Sequence, residues 1–181
     1  MVQILRRIQL VLDTIVERVG QLGGWILFAA VAVVFLNTIN RYAFEFSPVW
    51  VQELEWHLLA GCIALGLAFA WHHRDHIAVD VFSQYYSPKA RQWMEFLVAV
   101  VIAIPVSIFI IKITLPYVGR SFDMMEGSPN PGGLPYRWIP RSFVVVGFAL
   151  LLLEGIATAI RSGLAIFADD ESPDRSNSDQ G

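Results

Sequence analysis

Four long blocks of apolar residues, separated by shorter polar segments, organise the sequence. The second block shows the pattern best: it runs from Trp56 to Trp71 without a single Lys, Arg, Asp or Glu. Roughly 20 helical residues cross about 30 Å of hydrocarbon, and aromatic residues favour the two membrane interfaces. The pattern therefore predicts an all-α integral membrane protein with four transmembrane helices, at about residues 22–40, 50–71, 93–117 and 141–165.

One face of the second predicted helix combines polar and small residues. At 100° per residue, this face contains Glu53, His57, Ala60, Ala64 and Ala68. Small residues let two helix backbones approach closely, and polar groups in lipid need protein partners. We expect this face to contact other helices, either in the same chain or in a partner subunit.

The ends of the chain have different patterns. Residues 1–20 form an amphipathic pattern that is too charged to span, which predicts a helix lying in the membrane interface. The alternative is a cytoplasmic helix packed on its own bundle. Gly20, Gly23 and Gly24 are expected to permit a change of direction before the first span. One membrane domain is predicted over residues 1–168, followed by a disordered acidic tail over residues 169–181.

The connections between the spans predict the topology. The short segment from Arg41 to Val49 makes the first two spans an antiparallel hairpin, and Ser87-Pro88 is a typical helix start. Pro105 is expected to kink the third span. Residues 119–140 contain a Gly/Pro-rich core that predicts a turn-rich external loop. The Lys and Arg distribution then favours cytoplasmic N- and C-termini.

Composition supports a membrane protein and excludes several other classes. The chain has 181 residues, of which 55% are hydrophobic and 16% charged, with a mean hydropathy of +0.53. The arginines are scattered and form no basic stripe, so nucleic acid is excluded as a partner. Membrane lipid is the expected surrounding. Cys62 is the only cysteine, which excludes an intramolecular disulfide and a cysteine-based metal cage. The N-terminal pattern contains no cleavable signal.

A histidine-rich cluster closes the second span. It contains His72, His73, Asp75, His76 and Asp80. A diiron or haem site needs ligands from at least two helices, and no other span offers a histidine. We therefore expect no metal, cofactor or catalytic residue, and no enzyme activity. His76 and Asp80 are expected to hydrogen-bond within the protein.

Three further ionisable side chains lie in or beside the spans. Arg41 is predicted to pair with Glu53 or Glu55 across the first hairpin, because each charge would be costly without a partner. Glu154 lies near the middle of the fourth span, where an ionisable group suggests a function. The sequence places no cation at its depth, which favours a protonated or partner-bonded Glu154 at a subunit interface over a proton relay. Lys112 is expected to snorkel to the outer surface.

Several motifs resemble the DctQ-type small membrane subunit of the tripartite ATP-independent periplasmic (TRAP) transporters. The similarity covers Arg41-Tyr42, Trp50-x-Gln-Glu-Leu, and the segment GLAFAWHHRDHIAVDVF beginning at Gly66. The loop SPNPGGLPYRWIP and the span end LLLEGIATAIR, which contains Glu154, resemble the larger-subunit, mannitol/chloroaromatic branch. Glutamine would be expected in place of Glu154 in that branch.

The resemblance implies a sodium-coupled transport system in a bacterial or archaeal inner membrane. It implies two partners: a large permease subunit, which the small subunit braces, and a periplasmic substrate-binding protein, which delivers an organic acid or similar solute. The external loop would help to dock the binding protein through Ser128, Asn130, Pro131, Gly132, Gly133 and Leu134. The residues alone leave an alternative open: a self-contained small membrane protein, either a homo-oligomeric channel or a histidine-based redox or sensor protein.

Overall fold

The computed structural model describes residues 2–73 and 87–170, and all its regular elements are helical. The elements are α1 (Val2–Phe44), α2 (Val49–His72), α3 (Pro88–Leu97), a π-helical segment (Val98–Ala103), α4 (Ile104–Asp123) and α5 (Trp138–Asp170). Four helical stretches are long and apolar enough to cross a membrane: Gln3–Phe44, Val49–His72, Lys89–Asp123 and Trp138–Ile166. The predicted four-span, all-α fold is confirmed. His76 and Asp80 lie outside the described residues, as do residues 171–181.

The first helix is one continuous element, so the change of direction expected at the glycines does not occur. Gly20 and Gly23 instead face α2. A Cβ atom at Gly20 would collide with the Phe69 ring, and one at Gly23 would lie 3.3 Å from the Cβ of Leu65. These glycines permit close packing of α1 against α2. The apolar side of residues 1–20 is largely exposed, for example at Ile4 and Val11, and its placement in the membrane interface stays a prediction.

The third span starts as the sequence predicts but is longer. The Ser87 side chain accepts a hydrogen bond from the Ala90 backbone N–H, and Pro88 occupies the first helical position. The π-helical segment ends at Ala103, two residues before Pro105. A proline lacks the N–H and its ring clashes with the carbonyl four residues earlier, so the wider π turn accommodates it. The helix then continues to Asp123, which shortens the external loop to residues 124–137.

The fifth helix holds the bundle together, because it packs against each of the other helices. It approaches α2 closely at two places: the Phe143 ring lies against Gly61, and Gly147 lies against the backbone of Ala64. We call the end of the bundle that carries residues 124–137 the loop end, and the end that carries His72 the histidine end. Each end contains a cluster of polar side chains.

Gly147 is expected to be intolerant of even one added carbon. A Cβ atom there would lie 2.9 Å from the Ala64 carbonyl oxygen and 3.0 Å from its Cα, and both atoms are backbone. Overpacking of this kind typically costs about 1–3 kcal/mol. Gly147→Ala should therefore lower the melting temperature of the detergent-solubilised protein.

Gly66→Ala is the matched control, because it is the same substitution within a membrane helix. A Cβ atom at Gly66 meets nothing within 4 Å. Alanine is favoured over glycine in a helix by about 1 kcal/mol, so this variant should be at least as stable as the wild type. Equal melting temperatures for the two variants would contradict the close approach of α2 and α5.

Candidate functional site

Glu53 is the centre of the polar cluster at the loop end. Its side chain, only 4% exposed, lies at the start of α2 and faces the loop. Oε1 accepts hydrogen bonds from the Ser128 hydroxyl and from Nδ2 of Asn130, the latter at 3.2 Å. Oε2 accepts a hydrogen bond from the backbone N–H of Leu134 at 2.7 Å. One carboxylate thus fastens three loop residues to the membrane helix.

The loop is folded around this carboxylate. The Ser128 backbone N–H donates to the Leu134 carbonyl oxygen at 3.0 Å, which closes the loop at its neck. Gly133 is needed where the chain passes Glu53, because a Cβ atom there would lie 2.7 Å from Oε2 and would also collide with Ser128. Gly132 adopts a φ of 77°, which favours glycine. Pro131 and Gly132 form the exposed tip.

An ion pair fixes the base of the loop. The guanidinium of Arg141, in the first turn of α5, donates to both carboxylate oxygens of Glu126, with Nη2 to Oε1 at 2.7 Å. Bidentate pairs of this kind are the stronger charge-assisted hydrogen bonds. Arg141 also lies over the Tyr117 ring, 4.3 Å from its centroid. The hydrogen bond from Arg141 holds the pKa of Glu126 below its ordinary value, so the pair persists into mildly acidic conditions.

The predicted pairing of Arg41 with Glu53 or Glu55 is wrong. Glu53 bonds to the loop, and Glu55 accepts a hydrogen bond from Nδ2 of Asn37 at 2.6 Å. Asn37 in turn accepts from the Ser47 hydroxyl at 3.0 Å. Because α1 continues to Phe44, its residue at the level of Glu55 is Asn37, one helical turn before Arg41. Arg41 is exposed and lies over the ring of Tyr42.

The small and polar face of α2 lies inside the chain's own bundle. Glu53, His57 and Ala68 are buried, whereas Ala60 and Ala64 are partly buried. His57 bonds through Nδ1 to the Glu53 carbonyl oxygen, one turn earlier. Within the chain this face packs on α5, on the loop at Glu53 and, through Ala68, on Val16 of α1. A contact between the same face and a partner subunit stays a prediction.

The second cluster surrounds Glu154 at the histidine end. The Glu154 side chain is completely buried. Its Oε2 lies 3.1 Å from Nδ1 of His72 on α2, and its Oε1 accepts from the Thr158 hydroxyl at 3.1 Å. Nη2 of Arg161 lies 3.5 Å from the same Oε1 and donates to Asp13 Oδ1 of α1 at 3.0 Å. Three helices therefore meet at one charged network.

This network corrects the expectation that no cation reaches Glu154. The sequence places Arg161 two turns deeper, but its long side chain extends back along α5 to the carboxylate. Glu154 is bonded within the chain and is not exposed for a partner subunit. Asp13 was not predicted as a site residue, because the amphipathic pattern of residues 1–20 places it on the polar side of an interfacial helix. The signal in the sequence was the opposite charge of Asp13 and Arg161, which lie toward the two ends of the chain.

Asp13, His72 and Glu154 could also offer three ligand atoms to a metal ion, since these atoms lie within 4.8 Å of one another. The donor set fits a metal poorly, because the guanidinium of Arg161 already lies against both carboxylates. A bound cation would compete with this positive charge. The expectation of no tight metal at the His72–Asp80 cluster stays a prediction.

The sequence model of the family described as "Tripartite ATP-independent periplasmic transporters, DctQ component" matches residues 30–163. The chain belongs to the DctQ family. The chain is thus a small TRAP transporter subunit, a transport component and not an enzyme, and a multi-pass inner-membrane protein.

One curated relative is a much longer protein. The DctQ chain is 21% identical over 130 residues to the sialic acid TRAP transporter permease protein SiaT of Haemophilus influenzae (strain 86-028NP). The match covers 72% of the chain and 20% of SiaT, so the chain spans about a fifth of that relative's length. No solved structure matches the chain significantly. The SiaT similarity supports TRAP membership, which the family match already establishes.

Proposed function

We propose that this DctQ protein is the small accessory subunit of a sodium-coupled TRAP transporter, where it braces the large permease subunit. The main support for this proposal, beyond the family, is that the buried polar groups of the spans have partners within the chain. Glu53 is bonded to three loop residues, and Glu154 is bonded to His72, Thr158 and Arg161. Buried polar groups with partners inside one chain rigidify a bundle. A rigid bundle suits a static scaffold for a moving permease.

The folded loop supports a second part of the proposal, the docking of a periplasmic substrate-binding protein. The exposed tip at Pro131 and Gly132 is presented on a fixed base, because Glu53 and Arg141 fasten the loop from two sides. A docking element with a fixed shape loses less conformational entropy when its partner binds. With both termini in the cytoplasm, this loop faces the compartment of the binding protein. An organic acid is the proposed class of transported solute.

Reconstitution in proteoliposomes tests the accessory role. The DctQ protein alone should show no substrate-dependent sodium flux, whereas its co-reconstitution with the permease and the binding protein should give uptake. The permease with the binding protein, but without DctQ, should give little uptake or none. Robust uptake by DctQ alone would contradict the proposal and favour a self-contained channel. Full uptake without DctQ would show that the permease needs no brace.

A further inference from the structure

The outward side of α4 carries a lysine in an otherwise apolar surface. Lys112 is exposed, and it forms no hydrogen bond or ion pair with any residue that the structure describes. Its neighbours on the same side of the helix are exposed and apolar: Ile108, Phe109 and Leu115. The main packing partner of α4 is α5, which covers the opposite side.

Contacts between the helices give the depth of Lys112. Arg141 of α5 lies level with Tyr117, and Gly155 of α5 lies level with Ile104, whose Cγ1 is 3.3 Å from a Cβ placed at Gly155. Lys112 is five residues from Tyr117 and eight from Ile104. At 1.5 Å per residue, it lies about 7.5 Å below the polar layer of the loop end and about 12 Å above that of the histidine end. Lys112 therefore lies between the two polar layers, on the surface of a membrane-spanning helix and closer to the loop end.

This position is costly for an ammonium group that faces lipid. A charged side chain in hydrocarbon is unfavourable by several kcal/mol unless it extends to a polar layer or finds an acidic partner. Along the apolar surfaces of the described spans, between the two polar layers, Lys112 is the one exposed ionisable side chain. The sequence predicts that Lys112 snorkels to the outer surface from a span that ends near Tyr117. Because α4 continues to Asp123, the helix end is eleven residues away, but the nearest polar layer, at Tyr117 and Arg141, is about 7.5 Å away.

We infer that the side of α4 around Lys112 is the surface that binds the permease, through a permease transmembrane helix carrying a carboxylate at the depth of Lys112. The inference rests on the proposed function, which supplies the permease as partner. A carboxylate removes the cost of the unpaired cation, and Phe109 and Leu115 would pack against the flanking apolar residues. The pairing also fixes the relative height of the two subunits, because a single ion pair in lipid allows one register.

Photo-crosslinking in the assembled complex tests the surface. The crosslinker p-benzoylphenylalanine is placed at position 109, and at positions 63 and 25 as controls. Ile63 and Trp25 lie at about the same depth on α2 and α1, and are 62% and 73% exposed. Position 109 should crosslink to the permease, and the two controls should not. Permease crosslinks from position 63 or 25 but not from position 109 would overturn the inference. Lipid adducts alone at position 109 would also overturn it, because they are expected if the Lys112 side chain extends to a lipid phosphate instead of a permease carboxylate.

Substitution of the lysine tests the charge. Lys112→Leu should lower the amount of permease recovered with the tagged DctQ protein at least about tenfold, because the permease carboxylate is left buried and unpaired. Lys112→Arg keeps the charge and should retain recovery. Lys89→Leu, the same substitution at an exposed position near the start of α3, is the control and should match the wild type.

The outcomes separate this inference from the proposed function. Wild-type recovery of the permease together with full recovery by Lys112→Leu would overturn the ion pair and leave the accessory role intact. Failure of the wild-type protein to recover any permease would overturn both.

Discussion

Replacing Glu53 with glutamine is expected to release the external loop from the membrane bundle. The carboxylate accepts hydrogen bonds from Ser128, Asn130 and the Leu134 backbone N–H. Glutamine offers one acceptor oxygen, and its NH2 group would point a donor at donors. Unsatisfied donors are costly, and hydrogen bonds to a charged group are the stronger ones. We expect a melting temperature lowered by about 5 °C or more in detergent, and faster protease cleavage within residues 127–135.

Asp123→Asn is the matched control, because it makes the same chemical change at an exposed carboxylate near the loop. It should leave the melting temperature and the cleavage rate unchanged. If the Glu53→Gln variant behaves like this control, the loop holds its shape without the carboxylate.

The same variant tests the proposed docking role in the assembled transporter. A released loop must be ordered again on each encounter, so Glu53→Gln should raise the binding-protein concentration needed for half-maximal transport. Replacing residues 130–134 with a flexible linker should have the same effect, while recovery of the permease stays normal. Unchanged transport at every binding-protein concentration, in a variant whose loop is demonstrably released, would contradict docking through this loop.

The four spans were predictable because length and hydropathy decide them locally. The apolar run from Trp56 to Trp71 needs no knowledge of the rest of the chain, and Ser87-Pro88 specifies a helix start by its own chemistry. The burial of Glu53, His57 and Ala68 was also predictable, since polar groups in a span require protein partners.

The partners of these polar groups could not be predicted from the sequence. They depend on how far each helix is shifted along its neighbour, and a shift of one turn replaces Arg41 with Asn37 opposite Glu55. Glu53 and Glu55 are two residues apart and so point about 200° apart on α2, which sends one to the loop and the other to α1. Gly20 and Gly23 were misinterpreted because glycine permits both bending and close packing, and only the position of Phe69 distinguishes them.

The network at the histidine end shows the same limit over a longer range. Asp13 and Arg161 are 148 positions apart. They are in contact because α1 and α5 both pass close to His72 at the histidine end of the bundle. Nothing local indicates such a contact. The internal partners of Glu154 now favour a structural role over a subunit contact.

Removing the Glu154 carboxylate is expected to have the largest effect on stability. Glu154→Met keeps the length of the side chain but leaves the His72 ring, the Thr158 hydroxyl and the Arg161 guanidinium without their shared acceptor. Breaking a buried ion pair by removing one partner typically costs about 3–5 kcal/mol. Because Arg161 is partly exposed and keeps Asp13, we expect the lower end of this range, about 3 kcal/mol, in the free energy of unfolding.

A double-mutant cycle separates the ion pair from simple loss of packing. Arg161→Met removes the cation and should also destabilise the protein, since it leaves a completely buried carboxylate with neutral partners and His72. The Glu154→Met/Arg161→Met protein lacks both charges of this ion pair. The double variant should therefore be more stable than the sum of the two single effects predicts. We expect a coupling of about 1 kcal/mol or more, measured by reversible unfolding in mixed micelles. Additive losses, within about 0.5 kcal/mol, would mean that Glu154 and Arg161 stabilise the bundle independently. His72 and Thr158 would then be the partners that hold Glu154 inside the membrane.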